Sequence, residues 1–265
     1  MTISPACASS MNEAEMNAVL VPLYLRTGGR GTTDLHEMLH RIADNGSHLL
    51  RVHVLTAAFE AAVVAAVKQH GAQMGRELRV DLLGLACEAG YETLAAALLD
   101  SGIAWRPGDA YQCTALAIQS GKPSLLALLL RAGIEASLRG ECGMPLLSHA
   151  IASGDAAMVT LLRDAGARAE ADGAALAAAA ITGQLKMLRM CLEDGASLAA
   201  LGDALDLAVA AGQAEAAMLL LQAGAPTDPA LRNATQRHDI EMVNLICTAR
   251  AGHLLASGAA VSTPS

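Results

Sequence analysis

Pairs of glycines twelve residues apart recur five times along this chain of 265 residues, and no other feature constrains its fold as strongly. A short apolar segment precedes each first glycine, and a second segment with paired apolar residues lies between the two glycines. Glycine tolerates the positive φ that a tight turn or a left-handed helix end requires, so each pair marks two turns. The repeating unit is therefore predicted to be helix, turn, helix, turn. The first glycines are Gly90, Gly121, Gly154, Gly183 and Gly212, and the second are Gly102, Gly133, Gly166, Gly195 and Gly224.

Successive first glycines are 31, 33, 29 and 29 residues apart, and an alanine lies four positions before each of them. A small residue at this place lets helices of neighbouring units approach closely. In these features the units resemble ankyrin repeats, in which a β-turn and two helices recur about every 33 residues with a T-P-L-H-x-A start. That start survives in weakened form as MPLLSHAIASG at 144–154 and CTALAIQSG at 113–121. The alanines are Ala86, Ala117, Ala150, Ala179 and Ala208.

The resemblance implies an all-α, ankyrin-like solenoid of about six to seven stacked helix-turn-helix repeats over residues 49–254. Weaker units at 51–72 and 231–252 would cap its two ends. We expect a flexible N-terminus at 1–10, an irregular helical N-terminal cap at 11–48 and a disordered tail at 255–265. Within the cap, residues 35–47 are interpreted as an outer helix that buries Met38, Leu39 and Ile42 and closes at a turn on Gly46.

Two segments between repeats are predicted to project as long fingers, around residues 103–113 and 134–144. Between Gly166 and Gly212 the repeats shorten to 29 residues and leave too little chain for such a finger. Aromatic and arginine side chains often dominate protein interfaces, and RPGD at 106–109 suits a turn that presents them. Packing of Trp105 across two helices and an ordinary solvated surface are the alternatives. The candidate partner-binding residues are Trp105, Arg106, Asp109, Tyr111, Arg139, Glu141, Glu88 and Gln119.

A different chemistry is suggested by His-Glu-Met-Leu-His at residues 36–40, which matches the H-E-x-x-H pattern of zinc peptidases. On a helix, His36 and His40 would share one face as metal ligands while Glu37 polarises a bound water. Glu60 follows the motif at a sequence separation suited to a third zinc ligand, and His48 and His53 are also close in sequence. The zinc metallohydrolase is therefore the alternative function.

Three observations weigh against this zinc site. Asp34 and Arg41 flank the motif with charge, whereas zinc peptidases usually carry uncharged residues there. Only about thirty residues precede the motif, too few for the sheet that such enzymes use to hold a peptide. Glu60 falls within the apolar segment TAAFEAAVVAAV. We therefore expect no metal and no catalytic residue.

Charge and cysteine usage limit the remaining functions. The formal net charge is −8 and the arginines are scattered, which disfavours nucleic acid and anionic membranes as partners. The N-terminus lacks the basic and apolar regions of a signal peptide, and no apolar run reaches the roughly 18 residues that span a bilayer. Six cysteines without a C-x-x-C pair indicate a reducing, cytoplasmic setting. We interpret Cys87, Cys191, Cys247 and the histidine His149 as packing residues, and expect Cys113 and Cys142 to be candidates for exposed thiols.

The ankyrin resemblance implies a function as well as a fold. It predicts a non-enzymatic module, without a cofactor, that binds a protein partner through its concave face and finger loops. The abundance of Arg over Lys suggests a bacterial source, and an effector delivered into a host cell or an inhibitor (immunity) protein are two versions of that role. A monomer is expected. Self-association along the apolar flank is a third possibility.

Overall fold

The structure is a computed structural model that describes residues 11–30, 34–51, 56–169 and 173–259. Over these ranges the regular secondary structure is α-helical, without an extended strand. The chain divides into two compact units, the first ending at Glu141 and the second beginning at Cys142. Residues 1–10, for which a flexible N-terminus is predicted, lie outside the described residues.

The first unit packs its helices in two rows. We call the row formed by α2, α5 and α7 the inner row, because it contains the first helices of the α5–α6 and α7–α8 hairpins. The outer row consists of α1, α4, α6 and α8. The short α3 packs against α2 and α5. The helices are α1 (Glu13–Arg26), α2 (Leu35–Asp44), α3 (Gly46–Arg51), α4 (Ala57–His70), α5 (Arg76–Ala89), α6 (Glu92–Asp100), α7 (Pro107–Gln119) and α8 (Pro123–Arg131).

The second unit repeats this arrangement with shorter connections. Its inner row is α9, α11, α13 and α15, while α12, α14 and α16 stack in the outer row and α10 pairs with α9. The helices are α9 (Leu146–Ser153), α10 (Ala156–Asp164), α11 (Ala174–Thr182), α12 (Leu185–Asp194), α13 (Leu198–Ala210), α14 (Ala214–Gln222), α15 (Asp228–Gln236) and α16 (Ile240–Ala259). The all-α, ankyrin-like architecture of stacked helical hairpins predicted from the sequence is confirmed within each unit.

The inner helices of the five repeat hairpins each bury one alanine at the same position, together with larger apolar side chains. Because an alanine methyl fills little space, inner helices approach closely and exclude water from the contact. The outer helices bury leucines at helical spacing, such as Leu94 with Leu98 and Leu125 with Leu129. The five alanines that precede the first glycines are completely buried, and they are Ala86, Ala117, Ala150, Ala179 and Ala208.

The ten glycines of the repeat adopt the predicted turn conformation, with φ between 68° and 98°. At three of the first glycines, a side chain from the next hairpin also occupies the space where a Cβ would lie. A Cβ on Gly90 would be 3.3 Å from Cε of Lys122, and one on Gly154 would be 3.1 Å from Nε2 of Gln184. Gln184 stays there because its Nε2 donates to the carbonyl of Ile151 at 2.7 Å. Glycine is thus required for conformation and for packing between hairpins.

Helices α15 and α16 form a hairpin in the region of the C-terminal unit predicted at 231–252. Its turn uses His238 at φ 57°, where the preceding hairpins have a glycine. Helix α16 extends to Ala259, into the range 255–265 for which a disordered tail is predicted. Residues 260–265 lie outside the described residues.

The N-terminal cap differs from its prediction in two ways. Met38, Leu39 and Ile42 are buried as expected, but α2 stacks on α5 in the inner row and is not an outer helix. Gly46 is not a closing turn, because α2 ends at Asp44 with Asn45 as its C-cap, and Gly46 begins α3. A Cβ on Gly46 would be 2.6 Å from Cδ1 of Leu85, so this glycine serves close packing against α5.

None of the helices over the described residues has the length and apolar character needed to cross a membrane.

Candidate functional site

A cleft of about 220 Å³ opens on the inner row of the first unit, between α2, α5 and α7. We call it the acidic cleft. Apolar groups form part of its wall, with Val80 and Leu85 from α5 and Leu116 from α7. The polar residues that line it are Asp44, Asp81, Glu88, Asp109 and Gln112.

The carboxylates of the acidic cleft influence one another. The pKa of Asp81 is raised, first by partial desolvation and then by the negative charge of Asp44; Glu77 and Asp109 add smaller contributions. His40 on α2 opposes this shift. An ionised Asp81 therefore lies in a negative potential that a cation bound in the cleft would relieve.

Gly84 lies within α5 and lines the acidic cleft. A glycine inside a helix destabilises it by roughly 0.5–1 kcal/mol relative to alanine. Here packing does not require the glycine, since an added Cβ would meet only Cδ1 of Leu116 at 3.9 Å, an ordinary contact distance. The absence of a side chain at Gly84 keeps the cleft open above the backbone of α5.

The first predicted finger, 103–113, is mostly helix. Pro107 is in the first turn of α7, where the fixed φ of proline is favourable and its missing N–H costs nothing. The RPGD segment therefore starts a helix and does not form a projecting turn. Trp105 is half-buried and packs against the core, as the alternative interpretation expected, while Arg106 is exposed.

Two arginines of α5 contact the short segment 101–106, which we call the tryptophan linker. Arg76 donates from Nε to the carbonyl of Ala104 at 2.8 Å, and its Nη2 pairs with the carboxylate of Asp109. Arg79 donates from Nη1 to the carbonyls of Ser101 at 3.1 Å and Gly102 at 2.6 Å. Asp109 is thus both a cleft residue and a partner of Arg76.

The second predicted finger contacts α7 through Tyr111. A Cβ on Gly140 would be 2.6 Å from Cε1 of Tyr111, so the ring lies against the backbone of this segment. Arg139 is half-buried and Glu141 is exposed at the end of the unit. The structure therefore brings Tyr111 together with the segment 139–141.

Of the eight residues predicted from the sequence, Glu88 and Asp109 line the acidic cleft. Gln119 is exposed at the end of α7, outside the cleft lining. Asp44, Asp81 and Gln112 were missed. Two of them could have been found from the phase of the repeat, because Asp81 and Gln112 both lie nine residues before the first glycine of their hairpins.

The histidine motif is a regular part of α2. Asp34 caps this helix by accepting from the backbone N–H of His36 and Glu37, so its charge has a structural role. The rings of His36 and His40 meet edge to face with centroids 4.7 Å apart. Glu37 accepts a hydrogen bond from the buried Tyr24 hydroxyl at 3.2 Å.

Among the described residues, no third zinc ligand is brought together with this motif. Glu60 accepts from the hydroxyl of Thr93 and from the N–H of Leu94, which fixes its carboxylate against α6. His36 lines a separate cleft of about 420 Å³ with His70, and His40 is not among the residues lining it. Across the described part of the chain, no cluster of three or more His, Cys, Asp or Glu side chains could hold a metal ion. His53 lies outside that part.

The described cysteines are free thiols. Burial raises the pKa of Cys113 and of Cys191 to about 12, and it also raises the pKa of Cys87. These thiols therefore remain protonated and unreactive at neutral pH.

Two of the expectations about cysteine exposure are wrong. Cys113, expected to be exposed, is buried because the predicted finger is helix α7. Cys247, expected to be packed, is exposed on α16, while Cys142 is exposed as expected.

His149 is only half-buried, so the expectation of a core position holds in part. Desolvation on α9 lowers the pKa of His149 below its ordinary value.

Helical hairpins stacked in two rows, each closed by left-handed glycines and joined through buried alanines, define an all-α helical-repeat protein. The repeats have the ankyrin fold. The structure is similar to the ankyrin repeat domain of human ASB11, with 21% identity and a TM-score of 0.54, over 63% of this chain and 82% of that domain. It is also similar to the ankyrin repeat domain of Bcl-3, described as a unique member of the IkappaB protein family. That match has 22% identity and a TM-score of 0.53, and covers 82% of this chain and 99% of that chain.

No family model matches the sequence, and no curated protein matches it. At this level of identity, the two structural neighbours establish the fold alone.

Proposed function

We propose that this chain is a non-enzymatic interaction module that binds one protein partner through the acidic cleft and the surface beside it. The acidic cleft is the observation that carries the proposal, because it combines four carboxylates with an apolar wall on an inner helix row. Stacked repeats are suited to such a role, since side chains from successive hairpins form one surface.

The charge of the cleft indicates the chemistry of the partner. A basic side chain would pair with these carboxylates while its aliphatic part contacts Val80 and Leu116. The cleft volume of about 220 Å³ is enough to admit the end of a long side chain. We therefore propose that an arginine or lysine of the partner enters the cleft.

A specific complex needs more surface than one cleft supplies. Standard interfaces bury about 800 Å² on each partner, with aromatic and arginine residues as the strongest contacts. Trp105 and Arg106 precede the cleft residue Asp109 in sequence, and Tyr111 precedes the cleft residue Gln112 on α7. Arg139 and Glu141 flank Gly140, whose backbone lies against the Tyr111 ring. We propose these residues as the surrounding part of the interface, as their sequence predicted.

The net charge supports the class of partner, and the cysteine thiols support the cellular setting. A net charge of −8 and a carboxylate-lined cleft repel polyanions, which supports a protein partner over nucleic acid or an anionic membrane. The buried, protonated thiols suit a cytoplasmic setting, and we propose a monomer. A bacterial effector and an inhibitor of a bacterial enzyme would both use such a surface.

Affinity capture followed by measured binding tests this proposal. The wild-type chain is compared with an Asp81→Lys, Glu88→Lys variant on lysates of the source cell and of a candidate host, and captured proteins are then purified. We expect a partner that binds wild type and loses at least about tenfold in affinity to the variant. The lysate that yields it separates an inhibitor from an effector.

A matched control places the same charge change elsewhere. An Asp203→Lys, Glu193→Lys variant, at exposed positions on α13 and α12 of the second unit, should retain the partner. Equal binding by the cleft variant and by wild type would refute the acidic cleft as the binding surface. A Trp105→Ala, Tyr111→Ala variant then tests the surrounding residues in the same assay.

Metal analysis tests the alternative of a zinc hydrolase. In our proposal Glu37 serves only the packing of α2 against Tyr24, so Glu37→Gln should leave partner affinity unchanged and the purified protein should contain no stoichiometric zinc. Zinc at one equivalent, together with a hydrolytic activity lost in Glu37→Gln, would overturn the proposal in favour of the enzyme.

A further inference from the structure

Arg76 on α5 contacts two of the residues that the binding proposal uses. Its Nε donates to the carbonyl of Ala104, the residue before Trp105, at 2.8 Å. Its Nη2 pairs with the carboxylate of Asp109 on the wall of the acidic cleft. One planar guanidinium therefore joins the tryptophan linker to the cleft.

The partial burial of this ion pair makes it more than a solvated surface contact. The side chain of Arg76 is 22% exposed and that of Asp109 is 30% exposed. Arginine suits this position because its nitrogens point in fixed directions and can donate to two acceptors at once. Lysine has a single ammonium group and cannot reproduce both directions of the guanidinium fork.

Arg79, one turn further along α5, secures the start of the same linker. It donates to the carbonyls of Ser101 and Gly102, at the end of α6 where backbone acceptors lack helical partners. Arg79 therefore serves the turn that ends α6, whereas Arg76 acts on the backbone next to Trp105. The two arginines can be distinguished by mutation.

We propose that Arg76 is a positioning residue that holds Trp105 and Asp109 in one arrangement before a partner binds. The inference rests on the proposed function, because it assigns a purpose to the arrangement of two interface residues. A surface that is ordered in advance avoids the entropic cost of ordering its loops during binding. Loss of Arg76 should release the tryptophan linker without disturbing the stacked helices.

Trp105 is the only tryptophan of the chain, so its fluorescence reports on the linker directly. We expect Arg76→Gln to raise the acrylamide quenching constant of Trp105 about twofold, because a released linker exposes the half-buried ring. Arg76→Lys should give an intermediate value. An unchanged quenching constant in Arg76→Gln would overturn the proposal.

Arg163→Gln is the matched control for the loss of an ion pair. Arg163 forms a bidentate pair with Asp194 in the second unit, at 3.0 and 2.9 Å, and belongs to neither the tryptophan linker nor the acidic cleft. Both variants lose one arginine pair, so both can lower the melting temperature, but only Arg76→Gln should change Trp105 quenching. Equal quenching changes in both would identify a general loss of stability and overturn the proposal.

A second variant covers the case in which Arg76→Gln does not fold. Asp109→Asn removes the charge that orients Arg76 and leaves the arginine in place, so quenching of Trp105 should still increase. No increase in a folded Asp109→Asn protein would then overturn the proposal.

The fluorescence test needs no partner, so it is independent of the proposed function. A linker released in Arg76→Gln without any captured partner would support positioning and refute the binding proposal. With a partner in hand, Arg76→Gln should weaken binding several-fold, and unchanged affinity would overturn the functional purpose assigned to Arg76.

Discussion

Asp81 destabilises the folded chain at neutral pH while it contributes charge to the acidic cleft. Its pKa is raised above the ordinary 3.8, so the folded state binds more protons than the unfolded state between 3.8 and the raised value. Stability therefore falls as the pH rises through that interval. This combination of unfavourable burial and like charge is typical of residues kept for function.

We predict that Asp81→Asn raises the melting temperature at pH 7 and that the gain disappears below about pH 3.8, where wild-type Asp81 is protonated in both states. Thermal unfolding measured from pH 3 to pH 8 checks this. Asp203→Asn, at an exposed position outside the cleft, controls for the loss of one negative charge. A gain that is equal at pH 3 and pH 7 would contradict the assignment of the shift to Asp81.

Ser148 on α9 carries a hydroxyl that is buried, and this oxygen has no hydrogen-bond partner among the described residues. A buried polar atom without a partner costs about 1–3 kcal/mol. We predict that Ser148→Ala increases the free energy of unfolding by about 1 kcal/mol, measured by chemical denaturation.

Thr114 supplies the comparison for Ser148. It is also completely buried, but its hydroxyl donates to the carbonyl of Ala110 at 2.7 Å. Thr114→Val removes this satisfied hydroxyl at constant shape and should give no comparable gain. A similar gain in both variants would mean that any buried hydroxyl is unfavourable here, whether paired or not.

Helix α5 contains a glycine that lowers the stability of the helix and also lines the acidic cleft. Gly84→Ala should increase the free energy of unfolding by about 0.5–1 kcal/mol, because alanine favours the helix and its methyl has space. The same methyl should reduce partner affinity, because it narrows the acidic cleft. Denaturation and binding measured on one protein preparation check both parts, and a variant that gains stability at full affinity would contradict the role of Gly84.

Gly46→Ala is the opposite case for a glycine of the same cleft. The added methyl would overlap Leu85, and overpacking of this kind costs about 1–3 kcal/mol. Stability should therefore fall in this variant, whereas it should rise in Gly84→Ala.

The helices of the array were predictable because their boundaries depend on single residues. A glycine with positive φ ends a helix whatever its surroundings, so the ten paired glycines defined the hairpins correctly. The start of α7 was misplaced because a proline followed by glycine also suits a turn, and only the packed helix distinguishes the two. The placement of α2 in the inner row depends on its contact with α5, far away in sequence.

The acidic cleft could be predicted only in part. Glu88 was predicted as a polar candidate of the concave face and Asp109 as part of the first finger, whereas Asp44 belongs to a cap without repeat phase. Its proximity to Asp81 results from the stacking of α2 on α5, which no local pattern indicates. Burial of Cys113 and engagement of Asp109 by Arg76 likewise depend on neighbours distant in sequence.

The stability of the whole chain is expected to vary along its repeats, because each hairpin is stabilised mainly by its neighbours. In the second unit, α15 buries only Ala230 and Ala234 among its residues, while α13 buries seven residues. Fewer buried apolar groups permit easier local opening.

We therefore predict that backbone amides of α15 exchange with solvent at least about tenfold faster than those of α13. Hydrogen exchange followed by mass spectrometry measures both helices in one experiment. Equal protection would indicate that the unit opens only as a whole.

The equivalent glycines Gly183 and Gly212 have nearly the same backbone conformation, with φ of 68° and 71°, and each is followed by a glutamine. The 29 residues that end at Gly212 therefore form a segment whose two ends match in sequence and in backbone conformation. A duplication of this segment in the gene would join helix to turn without a new linker. Recombination could lengthen the protein one hairpin at a time while leaving the acidic cleft in the first unit unaltered.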